Sequence, residues 1–352
     1  MNKLYSNEIV FRGHPDKVCD QISGAILNEC LKQDKNARVA VETTIKDDLI
    51  LVVGEVTTTA IVNYSQIAKD TIKQIGYNEK FVVLEKISKQ SRNIAFGVDS
   101  SESKEQGAGD QGMMFGYACD TTKQLLPTAQ VILQKFAIEY DTLRQQYPQW
   151  LFSDGKAQIT GEYDKDFNLL KIKTFLISYQ NCEFNREVTD ELLRKTAKNI
   201  CNEYKIKIDE ILINPTGKFV IGGPFADSGL TGRKIVVDAY QSFANVGGGC
   251  MNGKDPSKVD ISGAYKARQI ACKMLKIHNL KWCEVQISYA IGIARPLAIY
   301  IDSNKGNFIP SELLYEECKP NNIIKDLDLL NIDYESQARY GHFTDGYAFK
   351  KR

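Results

Sequence analysis

Two β-branched runs joined by a three-residue polar turn constrain this chain more than any other feature. Arg38-Val39-Ala40-Val41-Glu42-Thr43-Thr44-Ile45 and Leu49-Ile50-Leu51-Val52-Val53-Gly54-Glu55-Val56, separated by Lys46-Asp47-Asp48, read as strands that fold back on each other. A turn that short leaves no room for a crossover helix, so the sheet is antiparallel here and an all-parallel doubly wound fold is excluded. A helix precedes the hairpin. Val18, Ile22, Ile26 and Cys30 recur at helical spacing from about Asp16 to Leu31, behind a Pro15 suited to a first turn.

The same alternation continues along the chain. A second helix is expected from Ile61 to Ile75, closed by Gly76. The polar stretch from Ser88 to Gly112 has no periodicity; lacking proline and low complexity, it reads as a functional loop. The middle third offers a helix from Thr128 to Tyr147, strands from Ala157 to Tyr163 and Leu169 to Tyr179, a helix from Thr189 to Tyr204 and a strand from Ile208 to Ile213. The last third suggests strands near Phe219, Ile235, Val285 and Ala298, and a long helix from Val259 to Lys276. Each third thus reads as a mixed α+β unit with helices on one face of a mainly antiparallel sheet. Provisional borders fall at 1–100, 101–217 and 218–352.

Composition narrows the function. With 45 Lys plus Arg against 44 Asp plus Glu, the chain is not a general polyanion binder. No apolar run reaches the length of a bilayer span, and Glu8 interrupts the N-terminus before a secretory signal could form, so a cytoplasmic location is expected. The nine cysteines are scattered without a C-x-x-C pair, which supports neither a disulfide framework nor a zinc ribbon. Only His14, His278 and His342 exist, so a divalent ion would rest on carboxylates and phosphate oxygens.

Chemistry concentrates in a few places. Gly13-His14-Pro15-Asp16-Lys17 brings an imidazole, a carboxylate and an ammonium to a helix N-terminus, which suits phosphate and Mg²⁺ as well as an ordinary helix start. Gly107-Ala108-Gly109-Asp110-Gln111-Gly112 matches a dinucleotide fingerprint formally, but no strand precedes it; its glycines permit close approach by a ligand or by neighbouring chain. Gly248 to Asp255 nearly spells a P-loop, yet Asp255 stands where a Mg²⁺-binding hydroxyl belongs. From Thr216 to Arg268, Lys218, Arg233, Lys234, Lys254, Lys258, Lys266 and Arg268 gather on glycine-rich backbone, a density that suits a polyphosphate better than a solvated face. Glu42, Glu55 and Asp227 lie among apolar neighbours and read as buried carboxylates, for which a metal, a basic side chain or a substrate ammonium would serve equally. No nucleophile–base pair can be argued from these spacings.

In order, Gly13 to Lys17, Gly107 to Gly112 with Met113-Met114-Phe115-Gly116-Tyr117-Ala118, Asn214-Pro215-Thr216-Gly217-Lys218-Phe219-Val220-Ile221-Gly222-Gly223-Pro224, Gly229-Leu230-Thr231-Gly232-Arg233-Lys234, Gly253-Lys254-Asp255-Pro256-Ser257-Lys258-Val259-Asp260 and Tyr340-Gly341-His342-Phe343 resemble the S-adenosylmethionine synthetase family. The resemblance spans nearly the whole chain. It implies three similar α+β domains about a pseudo-threefold axis, and a homodimer or dimer of dimers with sites between subunits. The implied substrates are ATP and L-methionine: sulfur attacks C5′ of ATP, and the expelled triphosphate is cleaved to phosphate and pyrophosphate. His14, Lys156, Arg233 and Lys254 would be catalytic. Asp154, Lys218, Phe219, Asp227, Lys234 and Cys250 would join them in binding ATP, while Glu55, Gln90, Asp227 and Lys258 would hold methionine. Asp16 and Asp260 would carry Mg²⁺, two per site, and Glu42 one K⁺ per subunit. The run from Ser88 to Gly107 corresponds to a mobile gate.

Departures from the pattern are Arg12 for a usual acid, Ser91-Arg92-Asn93 for Ser-Pro-Asp, Cys250 for Ala, Ile261 for Arg and Arg295 for an acid; the chain is also short for the family. None removes an expected catalytic group, so an active enzyme with altered kinetics is expected. A phosphotransferase, a silent nucleotide-binding subunit and, remotely, a nucleic-acid binder are the rivals.

Overall fold

The computed structural model describes residues 2–90, 105–182 and 184–343. Most of the expected gate, including Ser91-Arg92-Asn93, lies outside them.

Three sheets, each backed by helices, make up the protein. The first has strand order β1 (Lys3–Val10), β6 (Leu151–Tyr163), β7 (Leu169–Asn181), β8 (Ile208–Ile213) and carries α3 (Thr128–Gln146) and α4 (Arg186–Glu203). The second has β4 (Val82–Ser88), β3 (Leu49–Thr57), β2 (Arg38–Lys46) and the two-residue β9 (Gly229–Leu230), under α1 (Pro15–Gln33) and α2 (Tyr64–Ile75). The third has β11 (Ala298–Ser303), β10 (Trp282–Tyr289) and β5 (Gly112–Cys119), under α6 (Val259–Ile277). Pairing is antiparallel except between β3 and β4 and between β7 and β8.

The hairpin forms as its sequence demands, with Val39, Val41, Thr43 and Ile45 buried beneath α1 and Glu42 turned to the opposite face. α2 ends where Gly76 adopts φ +116 and donates back to the Ile72 and Lys73 carbonyls. α1 is buried along most of its length, because Tyr334–Tyr340, here α9, covers the side that the sheet leaves open. One apolar core lies under the first sheet, around Phe11, Phe136, Tyr140 and Phe175. A second runs continuously beneath the other two sheets.

Several expectations need correction. The three α+β units hold, with strands exchanged between the thirds: β1 joins strands of the middle third, β5 pairs with β10 of the last, and β9 returns to β2 of the first. Sheet edges left with bare N–H and C=O groups are completed by whichever segment can reach them. No strand forms near Phe219, and Ile235 opens a single helical turn, α5 (Ile235–Asp238), rather than a strand. Its β-branched residues are overridden because Asp238 must fold back under Lys17. The short helices α7 (Glu312–Glu317) and α8 (Pro320–Leu327), like α9, β4 and β5, are additional elements.

The outer edge of β2 organises everything that follows. Leu230 pairs with Thr44 and Gly229 with Ile45, while farther along the same edge Lys254 bridges to Ala40. Val41 donates to the Gly253 carbonyl at 2.8 Å and Asp255 to the Val39 carbonyl at 3.0 Å. Opposite Val41 on the inner side, Gly54 sits at φ +146, where a Cβ would lie 2.1 Å from the Ala40 carbonyl oxygen. Gly54→Ala should therefore lower the unfolding free energy by at least about 2 kcal/mol, measured in urea, since both strain and overlap oppose it.

Candidate active site

The two loops on the β2 edge deliver two groups of charges. The first centres on the start of α1. Asp16, nearly buried, accepts the Leu230 amide at 2.9 Å, the Arg233 guanidinium at 2.8 Å and the Lys234 ammonium at 2.5 Å. Burial alone would raise its carboxyl, but the bonds from Lys234, Leu230 and Arg233 bring it below the ordinary range.

His14 caps the same helix. Its Nδ1 accepts the Asp16 amide at 3.2 Å, so the neutral ring carries its hydrogen on Nε2. Burial, aided by Lys234 and Lys156, lowers the imidazole to about 3. Lys156 stands exposed on β6, opposite Val10 in the ladder. Asp154, two residues earlier, is pushed up to about 6 by burial, although it accepts the Gly223 amide at 2.7 Å. Asp227 lies exposed on the loop before β9, within electrostatic reach of His14 and Asp154. Phe219 and Lys218 sit on the loop after β8, where the Phe219 carbonyl accepts the Asn181 amide at 2.9 Å.

The second group lies toward the Ala40 end of the edge, four residues from Thr44 and so about 13 Å along the strand. Lys254 and Asp260 pair at 2.5 Å, and Asp110 stands near both. Burial raises the Asp260 carboxyl against the pull of Lys254. Residues paired across an antiparallel ladder share a face, so Lys254, Ala40 and Glu55 point the same way, with Glu42 one step along β2. Gln90 follows β4, its amide bonded to the Thr57 hydroxyl at 3.1 Å. Lys258 is engaged by Asp255 at 2.6 Å. Cys250 lies between the groups against Gly232, its thiol pushed up to about 12 by burial.

Not every expected feature holds. Glu42 and Asp227 are exposed and Glu55 is half-buried, so these are not buried carboxylates in need of a cation. Strand alternation, which turns Glu42 and Glu55 to the face without helices, explains two of the three. The glycines about Asp110 serve neighbouring chain: a Cβ at Gly107 would meet Gly292 at 2.4 Å and one at Gly109 would meet the Ser257 carbonyl at 2.7 Å. Asp255 is fully buried and accepts the Val39 amide at 2.8 Å, a structural acid rather than a failed P-loop hydroxyl. Asp110, set among three glycines, lies near Lys254 and Asp260 without having been expected there. Equally unexpected is the buried trio beneath Asp16, in which Lys17 meets Asp238 at 2.6 Å and Asp20 at 3.2 Å.

Three departures are absorbed by their surroundings. Arg12 is buried against Gln21 at 3.1 Å, Asp141 at 3.3 Å and Glu335 at 3.7 Å. Ile261 is core, and Arg295 lies over the Tyr315 ring and pairs with Glu312 at 3.1 Å.

Among the described residues no three His, Cys, Asp or Glu side chains are grouped to hold a metal. A cavity of about 560 Å³ lies apart from both groups, among Tyr5, Tyr117, Phe167, Phe243 and Trp282.

His342 is buried too, and burial and Lys17 lower it to about 3. For both His14 and His342 the native state favours the neutral ring, so their contribution is intact above about 6.5 and is lost as pH falls toward 3. Between pH 7 and 5 the urea unfolding free energy should drop by about 2 kcal/mol per histidine, and His342→Gln should remove one share.

Known proteins place this arrangement. Residues 2–95 match the N-terminal, 105–219 the central and 221–351 the C-terminal domain model of S-adenosylmethionine synthetase. An S-adenosylmethionine synthase of Sorangium cellulosum (strain So ce56) is 41% identical over 368 aligned positions, covering 99% of this chain and 87% of that protein. With all three domain models matched in order and the relative similar throughout, the chain belongs to the S-adenosylmethionine synthetase family.

Proposed function

We propose that the protein forms S-adenosylmethionine from ATP and L-methionine, and that the expelled triphosphate is then hydrolysed to phosphate and pyrophosphate. The observation that carries this reading is the concentration of Arg233, Lys234 and Lys156 around a neutral, buried His14 whose Nδ1 is taken by the Asp16 amide, which leaves Nε2–H as the ring's donor. A thioether sulfur needs no base, whereas the departing triphosphate needs fixed positive charge and hydrogen-bond donors. The sulfur lone pair forms the S–C5′ bond as C5′–O5′ breaks, and the electron pair leaves with the triphosphate. His14 donates to that leaving oxygen while Arg233, Lys234, Lys156 and Lys254 take up its charge. Asp154, Phe219, Lys218 and Cys250 seat the nucleotide. Glu55, Gln90, Asp227 and Lys258 hold the amino acid; Lys258 has donors left beyond its bond to Asp255.

Asp16 and Asp260 are the hard oxygen donors for two Mg²⁺, and Glu42 is the carboxylate for K⁺. Bound Mg²⁺ would supply further neutralisation of the triphosphate. When substrate enters, Asp16 gives up Arg233 and Lys234 to the phosphates, and Asp260 gives up Lys254.

A homodimer, alone or paired into a tetramer, fits the division of the site. One chain presents the His14 group and the Lys254 group separately on the β2 edge. The faces of the second and third sheets without helices expose Leu49, Val82, Leu84, Met113 and Tyr300 at 41%, 51%, 52%, 56% and 48%, a surface that a second copy would cover. No helix among the described residues is long and apolar enough to cross a membrane, and nine unpaired cysteines suit a reducing cytoplasm.

Incubation with ATP, methionine, Mg²⁺ and K⁺ should yield the sulfonium product with equal phosphate and pyrophosphate, and His14→Ala should slow it about a hundredfold. Methionine-independent formation of ADP would refute the reading. Mixing slow His14→Ala chains with slow Lys254→Ala chains should restore part of the activity by building intact shared sites; no recovery after subunit exchange would place each site within one chain.

A further inference from the structure

The turn that presents His14 is held from below by a phenol. Tyr77, just past the end of α2, is 6% exposed, and its hydroxyl donates to the Gly13 carbonyl at 2.6 Å. Gly13 in turn donates its amide to the Ser153 carbonyl at 3.1 Å. A Cβ at Gly13 would lie 2.3 Å from that of Ser153, so the peptide has no room to shift toward β6.

The same phenol supports the nucleotide side. Gly223, at φ +61, gives its amide to Asp154 at 2.7 Å, and a Cβ there would fall 2.1 Å from the Tyr77 oxygen. Tyr77 is therefore wedged between the turn that carries His14 and the turn bonded to Asp154. Burial raises its phenol well above the ordinary range, which keeps the hydroxyl a donor at working pH.

We propose that Tyr77 is a positioning residue for adenosyl transfer, fixing His14 Nε2 relative to the Asp154 turn through the Gly13 carbonyl. The inference rests on the leaving-group role given to His14. No group of Tyr77 touches substrate. Its hydroxyl sets the plane of the Gly13–His14 peptide, and from that plane the imidazole takes its direction. A displacement of a fraction of an ångström at a reacting group is enough to slow chemistry while leaving binding intact.

The test is a double-mutant cycle in the full-length protein. Tyr77→Phe removes one oxygen and keeps the ring. It should lower kcat about tenfold, with KM for methionine unchanged and near-ultraviolet circular dichroism unaltered. In a His14→Ala background the same change should cost less than twofold. 4-Aminophenylalanine at position 77, which restores a donor, should return kcat to within about twofold of the native rate. Full activity of Tyr77→Phe, or an equal loss in both backgrounds, overturns the proposal. His14→Ala measured alone separates the two levels: if it turns over normally, the role of His14 falls and this proposal with it. If it is slow but the Tyr77→Phe factors are equal, only the positioning role falls.

Discussion

Everything distinctive in this protein depends on the outer edge of β2. A strand edge with open amides and carbonyls must be satisfied, and here two separate loops share the task, residues 229–231 at one end and 253–255 at the other. Each loop carries its cations on or just beyond its pairing residues. Pairing therefore fixes where Arg233, Lys234 and Lys254 stand. The loops owe their approach to glycine: a Cβ at Gly229 would meet the Pro15 carbonyl at 2.2 Å and one at Gly253 the Val41 carbonyl at 2.1 Å. Threonine hydroxyls tie the seam further, with Ser23 bonded to Thr43 and Thr231 at 3.0 and 2.9 Å.

Concentrated positive charge at the surface needs a negative foundation. Asp16 answers Arg233 and Lys234, and Asp260 answers Lys254. Beneath them Lys17, with Asp20 and Asp238, forms a buried set in which the acids hold the ammonium above the ordinary lysine range despite its burial. Asp20 also accepts the Gly232 amide at 2.9 Å, so the same cluster anchors the loop that carries the cations. Such buried ionic sets contribute little net stability but are costly to break in part. Their value here is placement.

What could be read from the chain follows from how local each signal is. The α1 helix, the β2–β3 hairpin and α6 are amphipathic or β-branched over long stretches, and their limits matched within a few residues. β5 was hidden because a glycine at its centre serves packing; Gly116 lies so close to α6 that a Cβ would sit 2.0 Å from the Ala267 backbone. β4 lacks clean alternation, being an edge strand with charged Glu85 and Lys86. Of the candidate site, the cations and Asp16 and Asp260 were legible as motifs, but their pairing was not, since it joins residues more than two hundred positions apart in one case and six in the other. Asp238 and Tyr77 left no local trace, because their roles arise only when distant segments meet.

Strand exchange between the thirds also bears on how the chain comes off the ribosome. β1 waits for β6, more than 140 residues later, and β2 keeps an unpaired edge until residues 229 and 254 have been made. The first third cannot complete its sheet when it emerges. The nascent chain must pass through a stage with open β edges, and the cationic loops are the last pieces to close the second sheet. Competence for chemistry and completion of that sheet therefore arrive in a single event late in synthesis, so a chain truncated before residue 229 lacks both.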